Sequence, residues 1–253
     1  MADENKKKLF GVILTYNCAP LLPGAYARVP KELFYAIICS DDGSTDDTTL
    51  VAKNLGLQTF INAHSGYGGN IKFALKKAVE LGADYIIELH GDGQYDFFSI
   101  EPAIQKLING YDFILGNRFF RLTQPRKDGM SLIRYFGNFL LSRLSKIVLG
   151  IEPPDLFTGF RGYSKRFVKT IDFSKNDDYF FSFEIIAQAR YAGLKIGAVP
   201  ARCYYDKKHT SMHLWKGFLE IFQTPYILIL YILAQLGIKR GIFATQKKIN
   251  KNG

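Results

Sequence analysis

Cysteine is scarce in this 253-residue sequence, which holds only Cys18, Cys39 and Cys203. Three scattered thiols exclude a disulfide framework and a zinc knuckle, and they favour a reducing compartment. The N-terminal segment 1–8 is charged and has no apolar stretch of the kind found in secretory signals. We therefore expect no secretory signal and a cytosolic or cytosol-facing protein.

Acidic residues are also in the minority, with 23 Asp and Glu against 33 Lys and Arg and a formal net charge of +10. Such an excess predicts an anionic partner: nucleic acid, a phosphorylated ligand or an acidic membrane surface. No recognisable nucleic-acid-binding motif accompanies the charge. We therefore expect no nucleic-acid partner, and a phosphorylated ligand or an anionic membrane instead.

A long apolar run is missing as well. The apolar stretch 225–238 has 14 residues, fewer than the ~20 that a helix needs to span a bilayer. Basic residues flank it on both sides: Lys216, Lys239, Arg240, Lys247, Lys248 and Lys251. This arrangement predicts an interfacial or re-entrant helix held by anionic lipid, with a core helix or a dimer contact as the alternatives.

Short apolar runs are present throughout the first half of the chain, at 10–15, 34–40, 57–61, 85–89 and 111–115. They predict strands buried on both faces of a parallel sheet. Helical patterns at 46–55 and 70–81 separate them, and the second ends at Gly82. The composition, with 47% hydrophobic and 22% charged residues, is that of a globular protein. Because strand and helix patterns alternate, we predict an α/β fold: a doubly wound, mostly parallel sheet flanked by helices.

The second half of the chain shows a less regular sequence pattern. It predicts a helix over about 130–149, a break at Pro153 and Pro154, and a turn-like segment at 155–161. A helix over about 179–191 and a short strand over 194–199 follow. We expect a charged tail at 1–8, one α/β domain at 9–212, and a basic and apolar helical tail at 213–253.

Polar side chains follow three of the predicted strands: Thr15, Tyr16 and Asn17, then Asp41 and Asp42, then Asp92 and Gln94. Ligands of doubly wound sheets bind beyond the carboxyl ends of the strands, so these side chains predict one site. Asp92 and the amide oxygen of Gln94, separated by a single glycine, form a hard-oxygen pair of the kind that holds Mg²⁺ or Mn²⁺ together with substrate phosphates. An ordinary polar turn is the alternative.

Four ordered motifs carry a resemblance to a known family: Thr15-Tyr16-Asn17, Asp41-Asp42-Gly43-Ser44-Thr45-Asp46, the glycine-rich segment 64–70, and Asp92-Gly93-Gln94. The chain resembles family 2 glycosyltransferases of the GT-A fold over roughly 10–211, and within them the polyprenyl-phosphate glycosyltransferases, which include dolichyl-phosphate mannose synthases. The resemblance implies an inverting, metal-dependent transfer from a UDP- or GDP-linked sugar to a polyprenyl phosphate, on the cytosolic face of a membrane.

The resemblance also implies roles for individual residues on the donor side. The implied nucleotide-sugar-binding residues are Thr15, Tyr16, Asn17, Asp41, Asp42, Gly68, Asp92 and Lys207. Asp92 and Gln94 correspond to the metal ligands. His90 stands where the family commonly has an aspartate, so it is either a third metal ligand or an outer-shell donor.

On the acceptor side the resemblance implies Arg118, Arg134, Asn138 and Arg161. Arg118 closes a predicted strand, and its guanidinium fork suits phosphate oxygens. The alternatives are a solvated helix face for Arg134 and a structural ion pair for Arg161.

The acceptor determines whether a catalytic base is needed. A lipid phosphate is already ionised, whereas a glycan hydroxyl must lose a proton to a carboxylate. Glu184 is the best candidate for that base, and a buried partner for Arg161 is its alternative role. With Asp92, Arg118 and Arg134 it completes the predicted catalytic set. A nucleotide-sugar or lipid-phosphate binding protein without catalysis is the rival from another class.

Overall fold

A sheet with strand order β3-β2-β1-β4-β6-β5-β7 forms the centre of the molecule. The computed structural model describes residues 7–174, 180–205 and 214–249, without the side chains of 214–220. The strands are β1 (Leu9–Thr15), β2 (Ala36–Asp41), β3 (Gln58–Ile61), β4 (Tyr85–His90), β5 (Phe113–Asn117), β6 (Arg161–Ser164) and β7 (Ile196–Pro200). All pairings are parallel except those of β6, which runs antiparallel to both β4 and β5.

Helices connect the strands and cover both faces of the sheet. They are α1 (Leu22–Ala27), α2 (Thr48–Asn54), α3 (Gly66–Glu80), α4 (Ile100–Ile108), α5 (Gln124–Lys127), α6 (Leu132–Leu149), α7 (Lys165–Thr170), α8 (Phe181–Ala192) and α9 (Leu214–Gln235). Short 3₁₀ turns occur at Lys31–Leu33, Phe97–Ser99, Arg118–Phe120 and Gly241–Phe243. The predicted α/β class and mostly parallel sheet are confirmed, and all six predicted strands form with ends within two residues of the expected positions.

Alternate residues of the central strands face two separate cores. On one face Ile86, Phe113 and Leu115 pack with residues of α3, α8 and α9. On the other, Ile87 and Ile114 pack with residues of α1 and α4. Apolar side chains on both faces of β4 and β5 explain why these strands read as continuous apolar runs.

Strand β6 has no counterpart in the sequence-based prediction. Its four residues, Arg-Gly-Tyr-Ser, show no apolar run and no alternation, yet all four are buried. Its pairing with β4 and β5 depends on contacts from distant parts of the chain. Because β6 is antiparallel, the segment 155–160 that leads into it lies at the carboxyl edge of its parallel neighbours.

Helix α3 begins earlier than predicted. The predicted helix at 70–81 begins at Gly66 instead, so the glycine-rich segment 66–69 forms the first turn of α3. The reason is a capping carboxylate from the residue that follows β2: Asp42 accepts hydrogen bonds from the backbone N–H groups of Ser65 (3.0 Å) and Gly66 (2.9 Å).

The apolar stretch 225–238 is divided between two environments. Helix α9 runs through Pro225 and ends at Gln235, and one of its faces joins the core through Ile227, Leu230 and Tyr231. The opposite face is exposed. Among the helices that the structure describes, none has the length and apolar character needed to cross a bilayer.

Candidate active site

The polar strand ends meet at one edge of the sheet, as the sequence predicts. Thr15 pairs with Asp41, and Leu14 pairs with His90, so β1, β2 and β4 end at the same level. Asn117, at the end of β5, pairs with Pro200 at the end of β7. The carboxyl edge therefore brings together the turns that follow β1, β2, β4 and β5.

Asp41 and Asn17 join the first two of these turns. Asp41 is fully buried and accepts hydrogen bonds from the hydroxyls of Thr15 (2.9 Å) and Ser44 (2.6 Å). Asn17 has a left-handed backbone, with φ of 47°, and its side-chain oxygen accepts from the Thr45 N–H at 2.8 Å. These two residues hold the loop after β2 against the end of β1.

Asp42 lies beside a pair of stacked rings. Its carboxylate, besides capping α3, lies 3.0 Å from Nδ1 of His64. The His64 ring stacks on Tyr16 at a centroid distance of 4.5 Å, and Tyr16 is 47% exposed. The flat surface of this pair suits a nucleobase. The sequence singled out Tyr16 and Asp42, but it gave His64 no role of its own.

The turn after β4 is fixed mainly by backbone contacts. A Cβ on Gly91 would lie 2.7 Å from Cγ2 of Thr15, so only glycine lets the turn approach β1 so closely. Gly93 has a left-handed φ of 69°, and its carbonyl accepts from Arg28 at 2.9 Å. Oδ1 of the half-buried Asp92 accepts from the backbone N–H of Gln94 at 3.0 Å.

The donors of this turn fit a cation shared with a substrate. In the described part of the chain, no three His, Cys, Asp or Glu side chains are grouped to form a metal site by themselves. Asp92 and Gln94 offer hard oxygens from a half-buried position. Mg²⁺ is commonly held by one or two carboxylates plus substrate phosphates, and that arrangement requires no closed protein cage.

His90 is engaged away from such a cation. Its Nε2 lies 3.0 Å from the carbonyl oxygen of Gly159 and 3.3 Å from Oε1 of the buried Glu88. Burial opposes the charged imidazolium, yet the hydrogen bond and the charge of Glu88 raise the pKa of His90 to about 9. Because two oxygen acceptors face Nε2, this nitrogen carries a proton and offers no lone pair to a metal. Of the two roles considered for His90, the geometry favours the outer-shell donor.

Glu88 is the centre of a buried polar cluster that the sequence did not predict. Tyr67 donates to Oε1 at 2.7 Å, and Tyr163 donates to Oε2 at 2.6 Å. Burial by itself would raise the pKa of Glu88, but the His90 hydrogen bond, together with the nearby Arg161, holds it below its usual value. One sequence signal for this cluster was available: Glu88 is an acidic residue within the apolar run 85–89.

The peptide at Gly159 joins the turn after β4 to the segment before β6. Its carbonyl contacts His90, and its N–H donates to the hydroxyl of Tyr95 at 2.6 Å. His90 and Tyr95 flank the Asp92 turn on either side. A Cβ on Gly159 would lie 3.0 Å from the Tyr95 hydroxyl and 3.1 Å from the His90 ring. The turn after β4 and the segment before β6 are thereby held together.

Arg118 has a protein partner for the fork that was predicted to bind phosphate. Its Nε and Nη2 donate to the two oxygens of Asp155, at 2.7 and 2.9 Å. Both side chains are buried. Nη1 donates to the Tyr205 hydroxyl, and Nη2 also donates to the Phe157 carbonyl at 2.8 Å. In this arrangement Arg118 fixes segment 155–157 at the end of β5.

The other residues predicted for the acceptor side differ in their exposure: some are buried and one is partly exposed. Arg161 is 1% exposed, donates from Nε to the Thr158 carbonyl at 3.2 Å and lies near Glu88, as in the structural role considered for it. Asn138 and Glu184 are also buried, in α6 and α8. Arg134, in the first turn of α6, is partly exposed and stacks on Tyr205 at 5.5 Å.

Gly68 and Lys207 complete the set of predicted nucleotide-sugar-binding residues. Gly68 is buried in the first turn of α3. Lys207 lies outside the described residues. Its role stays a prediction.

Comparisons with known proteins agree with this geometry. A family model described as glycosyl transferase family 2 matches residues 12–172. The chain is 28% identical over 228 residues to a UDP-N-acetylglucosamine–dolichyl-phosphate N-acetylglucosaminyltransferase of Methanococcus voltae, covering 82% of this chain and 88% of that protein. It is 25% identical to a dolichyl-phosphate hexose transferase of Haloferax volcanii, with 79% and 84% covered.

A solved structure shares the fold. Glucosyl-3-phosphoglycerate synthase of Mycobacterium tuberculosis, crystallised with Mn²⁺, UDP and phosphoglyceric acid, matches with a TM-score of 0.62 at 15% identity, covering 93% of this chain and 80% of that one. The molecule is thus a glycosyltransferase of the GT-A fold. The chain belongs to glycosyl transferase family 2.

We expect Gly159→Ala to reduce turnover roughly tenfold or more while the fold is retained, because a methyl group would push His90 and Tyr95 off the peptide that joins the two halves of the site. Turnover would be followed by a glycosyl-transfer assay and folding by circular dichroism. Gly24→Ala is the matched control, since a Cβ there meets nothing within 4 Å. Equal turnover in the two variants would contradict this role for Gly159.

We expect Asp155→Asn to lower the free energy of unfolding by about 3 kcal/mol, because it leaves the buried Arg118 guanidinium without its counter-charge. Urea denaturation measures the change. Asp47→Asn, at an exposed position whose side chain makes no helix-capping hydrogen bond, should cost less than about 0.5 kcal/mol. If both variants lose the same stability, Arg118 does not depend on Asp155.

Proposed function

We propose that this glycosyltransferase moves a sugar from a UDP- or GDP-linked donor to a polyprenyl phosphate, with inversion at the anomeric carbon and with Mg²⁺ or Mn²⁺. The observation that carries the proposal is the Gly159 peptide, which His90 and Tyr95 hold against the Asp92 turn. These contacts hold the Asp92 carboxylate, which we assign to the donor, and the segment 155–160 at the same edge of the sheet.

The donor's nucleoside fits the side of this edge formed by β1 and β2. The stacked rings of Tyr16 and His64 offer a surface to the base, and Asp42 lies beside them. Thr15, Asn17 and Asp41 fix the neighbouring loops through hydrogen bonds. We assign these three to shaping the nucleoside pocket.

Asp92, with Gln94, would hold the cation, which when bound stabilises negative charge on the departing diphosphate as a Lewis acid. The chain's own task is to present these oxygens without rearrangement. The contacts of Gly91 and Gly93 support such preorganisation, because they fix the turn independently of any ligand.

The acceptor fits the side formed by segment 155–160 and the start of α6. Arg134 is the partly exposed cation there, and we assign it the acceptor phosphate. Asn138 follows one turn later on the buried face of α6. Arg118 and Arg161 act by holding the acceptor-side loop through Asp155 and Thr158.

A phosphate acceptor is supported by the position of Glu184. A hydroxyl acceptor would need a carboxylate base, and Glu184 is only 3% exposed within α8. An ionised phosphate oxygen attacks the anomeric carbon without giving up a proton, and the bond to the diphosphate oxygen breaks as the new bond forms. The two relatives named for dolichyl-phosphate transfer support the same acceptor class. The cytosolic face of a membrane, where such an acceptor would be met, is part of the proposal.

The test is an assay of the full chain with UDP- and GDP-linked sugars, Mg²⁺ or Mn²⁺, and a short-chain polyprenyl phosphate. We expect acceptor-dependent release of nucleoside diphosphate that EDTA abolishes, and a loss of roughly 100-fold or more in kcat for Asp92→Asn. Glu101→Gln, an exposed acid in the first turn of α4, is the matched control and should be unaffected.

Glu184→Gln distinguishes the two acceptors. Transfer to a polyprenyl phosphate should survive this change, because no base is needed. Transfer to glycan hydroxyls instead, lost in Glu184→Gln, would contradict the proposal in favour of the hydroxyl acceptor.

A further inference from the structure

Tyr205, five residues beyond the end of strand β7, contacts two of the arginines predicted for the acceptor side. Its hydroxyl accepts a hydrogen bond from Nη1 of Arg118, and the guanidinium of Arg134 lies over its ring, 5.5 Å from the ring centre. Arg118 is buried and donates to both oxygens of Asp155. The hydroxyl of the tyrosine is therefore held by a fixed group, while the face of its ring meets a partly exposed cation.

The backbone of Tyr205 is fixed as well as its hydroxyl. Its N–H donates to the Asp128 carbonyl at 2.9 Å. Its carbonyl oxygen would lie only 2.7 Å from a Cβ on Gly129, which has a left-handed φ of 93°. Only glycine at position 129 allows so close an approach. The segment that leads into α6 is thereby packed against Tyr205.

The residue before Tyr205 contacts the turn after β4. The Tyr204 N–H donates to the Gln94 carbonyl at 2.9 Å, and its hydroxyl donates to Oδ2 of Asp96 at 3.0 Å. Two consecutive tyrosines therefore connect this turn with the start of α6. The ring that meets Arg134 has a defined position relative to the turn that we assign to the cation.

A ring can orient an arginine and leave it able to bind phosphate. The ring attracts the positive charge of the guanidinium, whereas phosphate oxygens accept hydrogen bonds from N–H groups at the edge of its plane. A mobile arginine loses rotamer entropy when a ligand immobilises it, and a ring that already restricts the side chain reduces that cost. The ring then strengthens phosphate binding without contacting the phosphate.

We propose that Tyr205 is a positioning residue for the acceptor, whose ring holds Arg134 where this side chain meets the acceptor phosphate. Its hydroxyl fixes the ring through Arg118, and the tyrosine acts through Arg134 and not on the reacting atoms. This inference rests on the proposed function, because it names the residue that prepares the cation assigned to the acceptor phosphate. Arg118 and Arg134 form one unit, with Tyr205 between them.

The two contacts of Tyr205 can be removed separately. Tyr205→Phe keeps the ring beside Arg134 and removes the hydroxyl, so Arg118 loses one hydrogen-bond partner. Tyr205→Leu removes both the ring and the hydroxyl but keeps an apolar side chain against the core that Tyr205 contacts. Positioning through the ring predicts that the leucine variant, and not the phenylalanine variant, weakens binding of the acceptor.

The experiment measures initial rates of the full chain with UDP- and GDP-linked sugars, Mg²⁺ and a short-chain polyprenyl phosphate. Tyr205→Leu should raise the KM for the polyprenyl phosphate roughly tenfold and change the KM for the donor by less than about twofold. Tyr205→Phe should keep the acceptor KM within about threefold of the wild type. The matched control is Tyr35→Leu, an exposed tyrosine before β2 with Lys8 at 4.8 Å from its ring centre, which should leave both constants unchanged.

A double-mutant cycle separates positioning of Arg134 from a general effect on the fold. Arg134→Gln should raise the acceptor KM by itself, and adding Tyr205→Leu should raise it by less than about twofold more, because the ring then has no guanidinium to hold. Circular dichroism and urea denaturation confirm that each variant folds. An unchanged acceptor KM in Tyr205→Leu, or two increases that multiply in the double variant, would overturn the inference.

NMR of the arginine side chain tests the contact without any substrate. An aromatic ring shifts the signals of protons over its face upfield, so the Arg134 side-chain signals should be shifted in the wild type and in Tyr205→Phe. Their loss in Arg134→Gln identifies them, and in Tyr205→Leu they should return to ordinary positions. Unshifted signals in the wild type would overturn the inference even if the leucine variant does not fold.

Failure of this inference is distinguishable from failure of the proposed function. Transfer to the polyprenyl phosphate with a wild-type acceptor KM in Tyr205→Leu would refute the role of Tyr205 and leave the proposed function standing. Calorimetric binding of the polyprenyl phosphate that Tyr205→Leu weakens, without sugar transfer to it, would refute the proposed function and leave the role of Tyr205 standing. A chain that neither binds nor glycosylates the polyprenyl phosphate would refute both.

Discussion

The backbone of a single residue, Gly159, joins the turn after β4 to the segment before β6. His90 contacts its carbonyl and Tyr95 accepts from its N–H, and these two side chains flank the turn that presents Asp92. Gly159 belongs to the segment that enters the antiparallel strand β6, so this segment is fixed to the turn after β4 through the sheet itself. Catalysis by positioning requires reacting groups to be held within fractions of an ångström, and this clamp provides such a constraint.

Buried charges beneath the edge reinforce that constraint. Glu88 is satisfied by His90, Tyr67 and Tyr163, and Arg118 is paired with Asp155 in a bidentate geometry. A buried charge is costly unless it is paired, so each network strongly disfavours other arrangements of its loops. The departure from the family pattern at His90 has a physical account here: an imidazolium at this position can bridge Glu88 and Gly159, which a carboxylate could not do.

The sequence-based prediction was right for the strands and strand ends, which depend on the local pattern of apolar and polar residues. The apolar runs at 10–15 and 85–89 became β1 and β4, and the polar groups after them met at one edge because parallel strands share that edge. The features that the sequence did not predict depend on contacts between distant parts of the chain. Strand β6 shows no strand pattern, and α3 starts early because Asp42, directly after β2, caps it. Arg118 is engaged by a partner 37 residues away. The predicted helix over about 130–149 formed as α6, but only the fold reveals that most of its buried positions are polar.

The central claim is that Asp92 carries the cation while His90 holds the acceptor loop. Anomalous diffraction from crystals grown with Mn²⁺ and a nucleoside diphosphate tests it most directly. The account predicts a Mn²⁺ peak bonded to Asp92 and the diphosphate, with Nε2 of His90 still on the Gly159 carbonyl. A peak on Nε2 of His90, or an ion-free turn in an enzyme that still transfers sugar, would contradict it.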